Sequence, residues 1–321
     1  MRKGLLRKGL IMLILVMVCL NAGCNTREES NFRSMVTRYR RPPRITVFFK
    51  ETGEKKQMDI EEYLVGVVAG EMKPNWPENA YAAQAIIART FTMEFLSRGG
   101  TRKLHGTDIS TDEKEAQAYN AKNITPTIRK AVTKTKGLVL TYKNRYIKGW
   151  YSASCGGQTA YAQEGLGYKG PEPPYVSSVK TDEEKYMPKE EFYWEAVLTS
   201  DEINAALEKL NKPNLGQIKE MKVLKRGRTH RAVLLRFTGE KGSVDVVGAD
   251  FRVQYGPEKI RSIWISDEIV TTEKGIKIKG RGFGHGVGLS QWGAYAYAKQ
   301  NWSPEKIVKH FYPKATLTKI W

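Results

Sequence analysis

Cysteine and histidine are scarce in this 321-residue chain, and its acids are outnumbered. There are 3 cysteines and 4 histidines, and 34 aspartates and glutamates stand against 53 lysines and arginines, for a formal net charge of +19. Cys19 and Cys24 fall in the first 24 residues, which leaves Cys155 alone in the body. No internal disulfide framework and no multi-cysteine metal site can be built from that set. No apolar run reaches the roughly 20 residues of a membrane-spanning helix. Zinc-finger spacing, the aromatic signature of RNA-binding sheets and a phosphate loop are also absent, so the basic excess has no nucleic-acid motif behind it. No internal repeat of about 20–50 residues is visible.

The longest apolar run is Leu10–Leu20, preceded by Arg2, Lys3, Arg7 and Lys8. That is the build of a signal-peptide core. Asn21-Ala22-Gly23-Cys24 follows, small residues before a cysteine, as at a lipoprotein processing site that would leave Cys24 lipidated. Asn21 stands where such sites usually carry leucine, so an uncleaved anchor is the alternative. Either way the body is expected outside the cytoplasm, tethered to the outer face of the cell membrane. Without the four leader charges, +19 falls to +15, a balance that favours an anionic polymer or surface such as cell wall or lipid. Residues 25–44 carry Arg33, Arg38, Arg40, Arg41 and Arg44 and the pair Pro42-Pro43, and read as a basic linker able to lie on anionic headgroups.

Residues 61–98 organise the rest. Leu64, Val67 and Val68 fall at helical spacing, with Glu71 and Met72 at the end of the run. Pro74 and Pro77 stop it, and Pro77 can open a second helix with Glu78 in its first turn. Ala83, Ile86, Ile87, Thr90 and Phe91 give that helix a buried stripe. Glu71 thus sits where an apolar helix meets a rigid corner. Desolvation there would raise its pKa and suit it to general acid chemistry. A glutamate ending a helix is also commonly just solvated.

Further on, Ile45–Phe49 reads as a strand, 127–135 as a helix ended by Gly137, and 138–142 with 145–151 as a hairpin around Lys143-Asn144. Residues 161–175 read as a loop. A strand holding Trp194 and a helix from Ser200 come next, and 217–265 alternates as β-structure. Gly282, Gly284, Gly286 and Gly288 interleave with Phe283, His285 and Val287. If that stretch is extended, one edge is bare backbone open to a ligand or strand. Ser290 can cap a helix over 291–299 whose Trp292, Tyr295 and Tyr297 suit sugar stacking as well as core packing. Ser303-Pro304-Glu305 opens a last helix, and His310 reads as structural. The whole reads as an α+β fold, an N-terminal helical unit packed on antiparallel β-structure with C-terminal helices. Residues 1–24 are leader, 25–44 linker and 45–321 one functional region, with a core motif at about 57–160 and a β-rich part at about 215–280.

The wording GVVAGEM followed by AAQAIIARTF, then SASCGGQTA (152–160), GADFRVQYG and IRSIWI (248–265) and GRGFGHGVGLSQWGAYAYA (280–298) resembles the stage II sporulation protein D family, in order and over nearly all of 45–321. The resemblance implies a lytic transglycosylase that cleaves peptidoglycan glycan strands stripped of stem peptides, leaving 1,6-anhydro-muramic ends. It places Glu71 as the acid/base and implies substrate contacts from Arg89, Tyr151, Ser154, His285, Ser290, Gln291 and Tyr295. It calls for no cofactor, and it implies a wall amidase and membrane proteins as partners. Relatives of the family that enhance an amidase without cleaving glycan share these motifs, which gives the alternative function. Two departures stand out. Ala82 replaces a lysine common in the family. Where some members bind zinc, this chain keeps His105 but has Ser110 and Ala116 at the cysteine positions, too few ligands for a structural zinc, so no metal is expected. Asp108 is a candidate second carboxylate near the cleft. Cys155, with no nearby histidine, reads as a buried small residue shaping a loop.

Overall fold

The computed structural model describes residues 35–321. The leader, Cys24 and the first part of the linker lie outside the described residues. Among the described residues no helix is long and apolar enough to cross a membrane.

β1 (Arg44–Phe48) and β2 (Lys55–Asp59) pair antiparallel. Asp59 then caps α1 (Ile60–Glu71), its carboxylate accepting from the Glu61 amide at 2.8 Å. Pro77 is the cap residue of α2 (Glu78–Ser97) rather than its first helical residue. β3 (Ile109–Ser110) joins β1 in parallel. α3 (Pro126–Lys134), capped by Thr125, leads to β4 (Leu138–Tyr142) and β5 (Arg145–Tyr146), which turn through left-handed Lys143 and Asn144. β6 is Tyr151–Ser152. The chain then builds a second lobe from β7 (Tyr193–Leu198), α4 (Ser200–Lys209), β8 (Ile218–Arg226), β9 (Ala232–Gly239), β10 (Gly242–Val247), α5 (Gly248–Tyr255), β11 (Ile265–Thr272) and β12 (Gly275–Arg281). It returns with β13 (Leu289–Ser290), α6 (Gln291–Lys299), α7 (Pro304–Phe311) and β14 (Thr316–Lys319), which pairs antiparallel with β4.

This is the mixed α+β architecture expected, with two main hydrophobic cores. The first joins α1, α2, α3 and β4 to the returning α6, α7 and β14. The second fills the space between the two three-stranded antiparallel sheets of the inserted lobe, β10-β9-β8 and β11-β12-β7, and helices α4 and α5. The β-rich part therefore starts at Tyr193, earlier than alternation alone suggests, because β7 pairs with the distant β12. α2 is the axis of the first lobe. A run of Ala80, Ala82, Ala83, Ala85 and Ala88, all buried, lets α1, α3, β4, α6 and α7 approach it closely.

The glycine-rich stretch is not a strand. Gly282, Gly284, Gly286 and Gly288 all have positive φ (79°, 108°, 73° and 75°), a region closed to most side chains. Its open edge is filled by protein instead of ligand. A Cβ on Gly288 would lie 2.1 Å from the Tyr312 hydroxyl, and one on Gly286 2.4 Å from the Arg231 guanidinium. The stretch laces the lobes together: Phe283 and Ser154 exchange backbone hydrogen bonds at 2.9 Å, and the Gly284 amide donates to the Arg261 carbonyl at 2.7 Å. Arg231 crosses from the inserted lobe to donate to the Cys155 and Gln158 carbonyls.

Candidate active site

Glu71 is the last residue of α1, half-buried, facing the segment 117–119. Two glycines one turn apart on α1 make that approach possible. A Cβ on Gly66 would overlap the Tyr119 ring, and one on Gly70 would sit 2.7 Å from the Tyr119 amide nitrogen. With neither side chain present, the segment lies on the helix, and the Ala118 amide donates to Glu71 Oε1 at 2.8 Å. The Tyr151 hydroxyl donates to the same oxygen at 2.8 Å. Gln291, first residue of α6, adds a side-chain hydrogen bond to the carboxyl.

Burial raises the Glu71 pKa and outweighs the three hydrogen bonds, which lower it; the charge of nearby Glu113 raises it further. The negative end of the α1 dipole acts in the same direction. With Oε1 occupied by two donors, the proton of the neutral acid is carried on Oε2. Tyr151 lies within 3.2 Å of Gln117 Oε1 as well, and Gln117 is anchored to Thr92 at 2.9 Å. Its one hydroxyl proton can serve Glu71 or Gln117 at a given moment. Burial and the Glu71 charge hold Tyr151 well above the usual phenol range, so it remains a donor.

The structure brings Glu71, Tyr151 and Gln291 together and assigns the other expected contacts elsewhere. Arg89 is fully buried and grips Glu61 through two bonds of 3.1 and 2.6 Å, with a third to the Leu138 carbonyl at 3.1 Å. It is a packing cation with no face toward Glu71. Ser154 and Ser290 are 1% and 0% exposed and donate to the two oxygens of buried Glu183, Ser154 at 2.7 Å. They too are internal rather than substrate-facing. Ser290 also caps α6, accepting from the Gly293 amide. The Glu183 carboxylate thereby ties β6, which carries Tyr151, to the helix start that carries Gln291.

His285 is pushed down to about 3, chiefly by burial and then by Arg252 and Arg231, so its imidazole is neutral across the physiological range. Nδ1 accepts from the Val287 amide at 3.0 Å, and the ring also bonds the Tyr151 backbone. It steadies the strand beneath Tyr151 and does not reach the carboxyl itself. Tyr295 stands in an aromatic group with Trp76 (4.9 Å between centroids), Trp292 (5.2 Å) and Tyr186 (6.4 Å). Lys73, two residues past Glu71, lies over the Trp292 ring at 5.1 Å, which puts this group beside the end of α1, and half-buried Tyr295 and Tyr186 give it an accessible side.

Asp108 is not a second catalytic carboxylate. Burial would raise its pKa, but bonds from Thr46 and Arg102 outweigh that and hold it below the usual range. His105 stacks on Phe48 and hydrogen-bonds Glu115 at 2.8 Å. Among the described residues no three His, Cys, Asp or Glu side chains gather as metal ligands. Cys155 is buried, and burial followed by the Glu183 charge pushes its thiol far up, which makes it inert. Ala82 is wholly buried in α2 and offers nothing to a ligand. Sequence reasoning missed Glu61, Gln117 and Glu183. For the backbone donor at Ala118, a signal was present in the Gly66–Gly70 spacing, which marks a close approach.

Residues 49–142, the part that carries α1 and Glu71, match the stage II sporulation protein family, and residues 173–288 match a domain of unknown function that coincides with the inserted lobe. An uncharacterised protein of Brachyspira hyodysenteriae is 29% identical over 262 residues, 80% of this chain and 66% of that protein. The stage II sporulation protein D of Bacillus amyloliquefaciens is 29% identical over 283 residues, covering 84% and 77%. An amidase enhancer of Bacillus subtilis is 27% identical over 301 residues, covering 79% of this chain and 40% of the relative. The acid-bearing helix lies inside the stretch that matches the stage II sporulation protein family, and over most of its length the chain is similar to stage II sporulation protein D.

Proposed function

We propose that this protein is a lytic transglycosylase of the bacterial cell wall, cleaving peptidoglycan glycan strands in sporulation or wall remodelling. The observation that carries the reading is the single desolvated carboxyl of Glu71, held by Tyr151, the Ala118 amide and Gln291 with its pKa raised. Glycosidases ordinarily need two carboxylates. One suffices when the nucleophile belongs to the substrate. Protonated Glu71 gives its Oε2 proton to the glycosidic oxygen, and the bond to the muramic C1 breaks. The carboxylate left behind then takes the proton of the same sugar's C6 hydroxyl as that oxygen closes on C1. No water is added, and Glu71 ends protonated as it began. Tethering the nucleophile gives it a large effective concentration. Tyr151, Ala118 and Gln291 stabilise the transient carboxylate, and Tyr295 with Tyr186 offers rings for the sugar faces.

Incubating the protein with purified glycan strands free of stem peptides and finding 1,6-anhydro ends by mass spectrometry tests the reading; intact strands would refute it. Tyr151→Phe is expected to raise the Glu71 pKa further, because it removes a donor that favours the carboxylate. The alkaline limb of the pH–rate profile should then move to higher pH, with a lower rate at the plateau.

A second reading has its own support in the amidase-enhancer relative. In that reading the surface around Glu71 binds glycan and delivers it to a wall amidase. Stimulation of a purified amidase that is unchanged in Glu71→Gln, with no anhydro ends formed, would favour it.

A further inference from the structure

One face of the first lobe is strongly basic. Arg40, Arg41, Arg44, Lys136 and Lys319 surround a shallow recess whose wall includes the half-buried indole of Trp321, with Asp59 the one acidic side chain on its rim among the described residues. The Asp59 carboxylate is engaged in capping α1. All five cations are exposed, and none has an ion-pair partner among the described residues. Arg44 and Lys319 donate only to backbone carbonyls.

The recess is rigid. The Trp321 indole N–H donates to Glu61 Oε1 at 2.9 Å, and the Gly137 amide next to Lys136 donates to the same oxygen at 3.0 Å. Glu61 is in turn clamped by Arg89. The buried pair therefore fixes the floor on which the cations stand.

We propose that this face rests on an anionic lipid leaflet and sets the distance of Glu71 from it. Three observations choose a membrane over other anions. The cations spread over a broad face with an indole among them, the pairing typical of a bilayer interface. Arg40 and Arg41 lie only 20 and 21 residues after the end of the apolar run at Leu20, a separation short enough for a leader anchored in the membrane to keep this face near it. Finally, α1 starts at the recess, with the Ile60 amide bonded to the Pro43 carbonyl, and ends at Glu71. Its 12 residues span about 18 Å between the recess end and the carboxyl.

Lysine footprinting of the full chain tests this. The chain is mixed with vesicles of phosphatidylcholine alone or with added phosphatidylglycerol, and acetylation rates are read by mass spectrometry. Any insertion of residues 10–20 is common to both vesicle types. Lys136 and Lys319 should be acetylated several-fold more slowly on the anionic vesicles, while exposed Lys212 on the inserted lobe is unchanged. High salt and the double variant Arg40→Glu/Arg41→Glu should each restore the rate. Equal rates on both vesicle types would overturn the proposal. So would protection by a soluble polyglycerol phosphate chain with none by anionic vesicles, which would make the face a wall-polymer site. Neither readout depends on glycan cleavage, so the proposal stands or falls apart from the enzymatic reading.

Discussion

Glu71→Gln is expected to lower glycan cleavage by about 10²–10⁴-fold, the usual contribution of a general acid. The amide has nearly the shape of the carboxyl, and its oxygen can still accept from Tyr151 and Ala118. What it lacks is an ionisable proton, so neither the donation to the leaving oxygen nor the later abstraction can occur. The same substitution should stabilise the protein at neutral pH. The folded state holds the Glu71 proton to a higher pH than the unfolded chain, where a glutamate titrates near 4.5. As pH rises through that value, the unfolded chain ionises first and stability falls until the folded pKa is passed. Glutamine escapes this loss. Urea midpoints should therefore show the variant above wild type at pH 8 and level with it at pH 4. A variant less stable at pH 8 would mean that the carboxylate is favourably held and not penalised by desolvation.

Arg89→Met is expected to have the largest effect on stability, a loss of about 3–5 kcal/mol, the cost of leaving one member of a buried ion pair unpartnered. Methionine nearly matches the aliphatic stem but cannot pair with Glu61, whose side chain is only 13% exposed. The damage should spread, because the guanidinium also satisfies carbonyls of Val132 and Leu138, and Glu61 holds Gly137 and Trp321. Chemical denaturation should show a lower midpoint at unchanged slope. Arg89→Lys should recover part of the loss, since it keeps the charge without the fork. If Arg89→Met were as stable as wild type yet unable to bind glycan, Arg89 would be the substrate contact that the family motif suggested.

Much of this was legible in the chain. The helix–corner–helix around Glu71, the caps at Ser290 and Ser303, and the alternation of β9 follow from local rules. The glycine motif was visible, but its conformation was not. Alternating glycines fit an extended strand and a left-handed lacing equally well until Arg231 and Tyr312 take up the space beside them. Arg89, Ser154 and Ser290 stood in wording that resembles the family, yet their partners Glu61 and Glu183 lie 28, 29 and 107 residues away in sequence. Local pattern carries no information about such pairings. The site itself was half readable: Glu71 could be placed at an apolar corner, while Tyr151 and Gln291 were expected as substrate contacts and not as its partners, because that convergence depends on a tertiary approach allowed by Gly66 and Gly70.

On the proposed reading the sugar's own hydroxyl, and no water, closes the reaction on Glu71, and cleavage of peptide-free glycan strands in water enriched in oxygen-18 separates the two nucleophiles. Wild type should release anhydro ends that carry no heavy oxygen. Reducing ends labelled with oxygen-18, or strands left uncut, would contradict it.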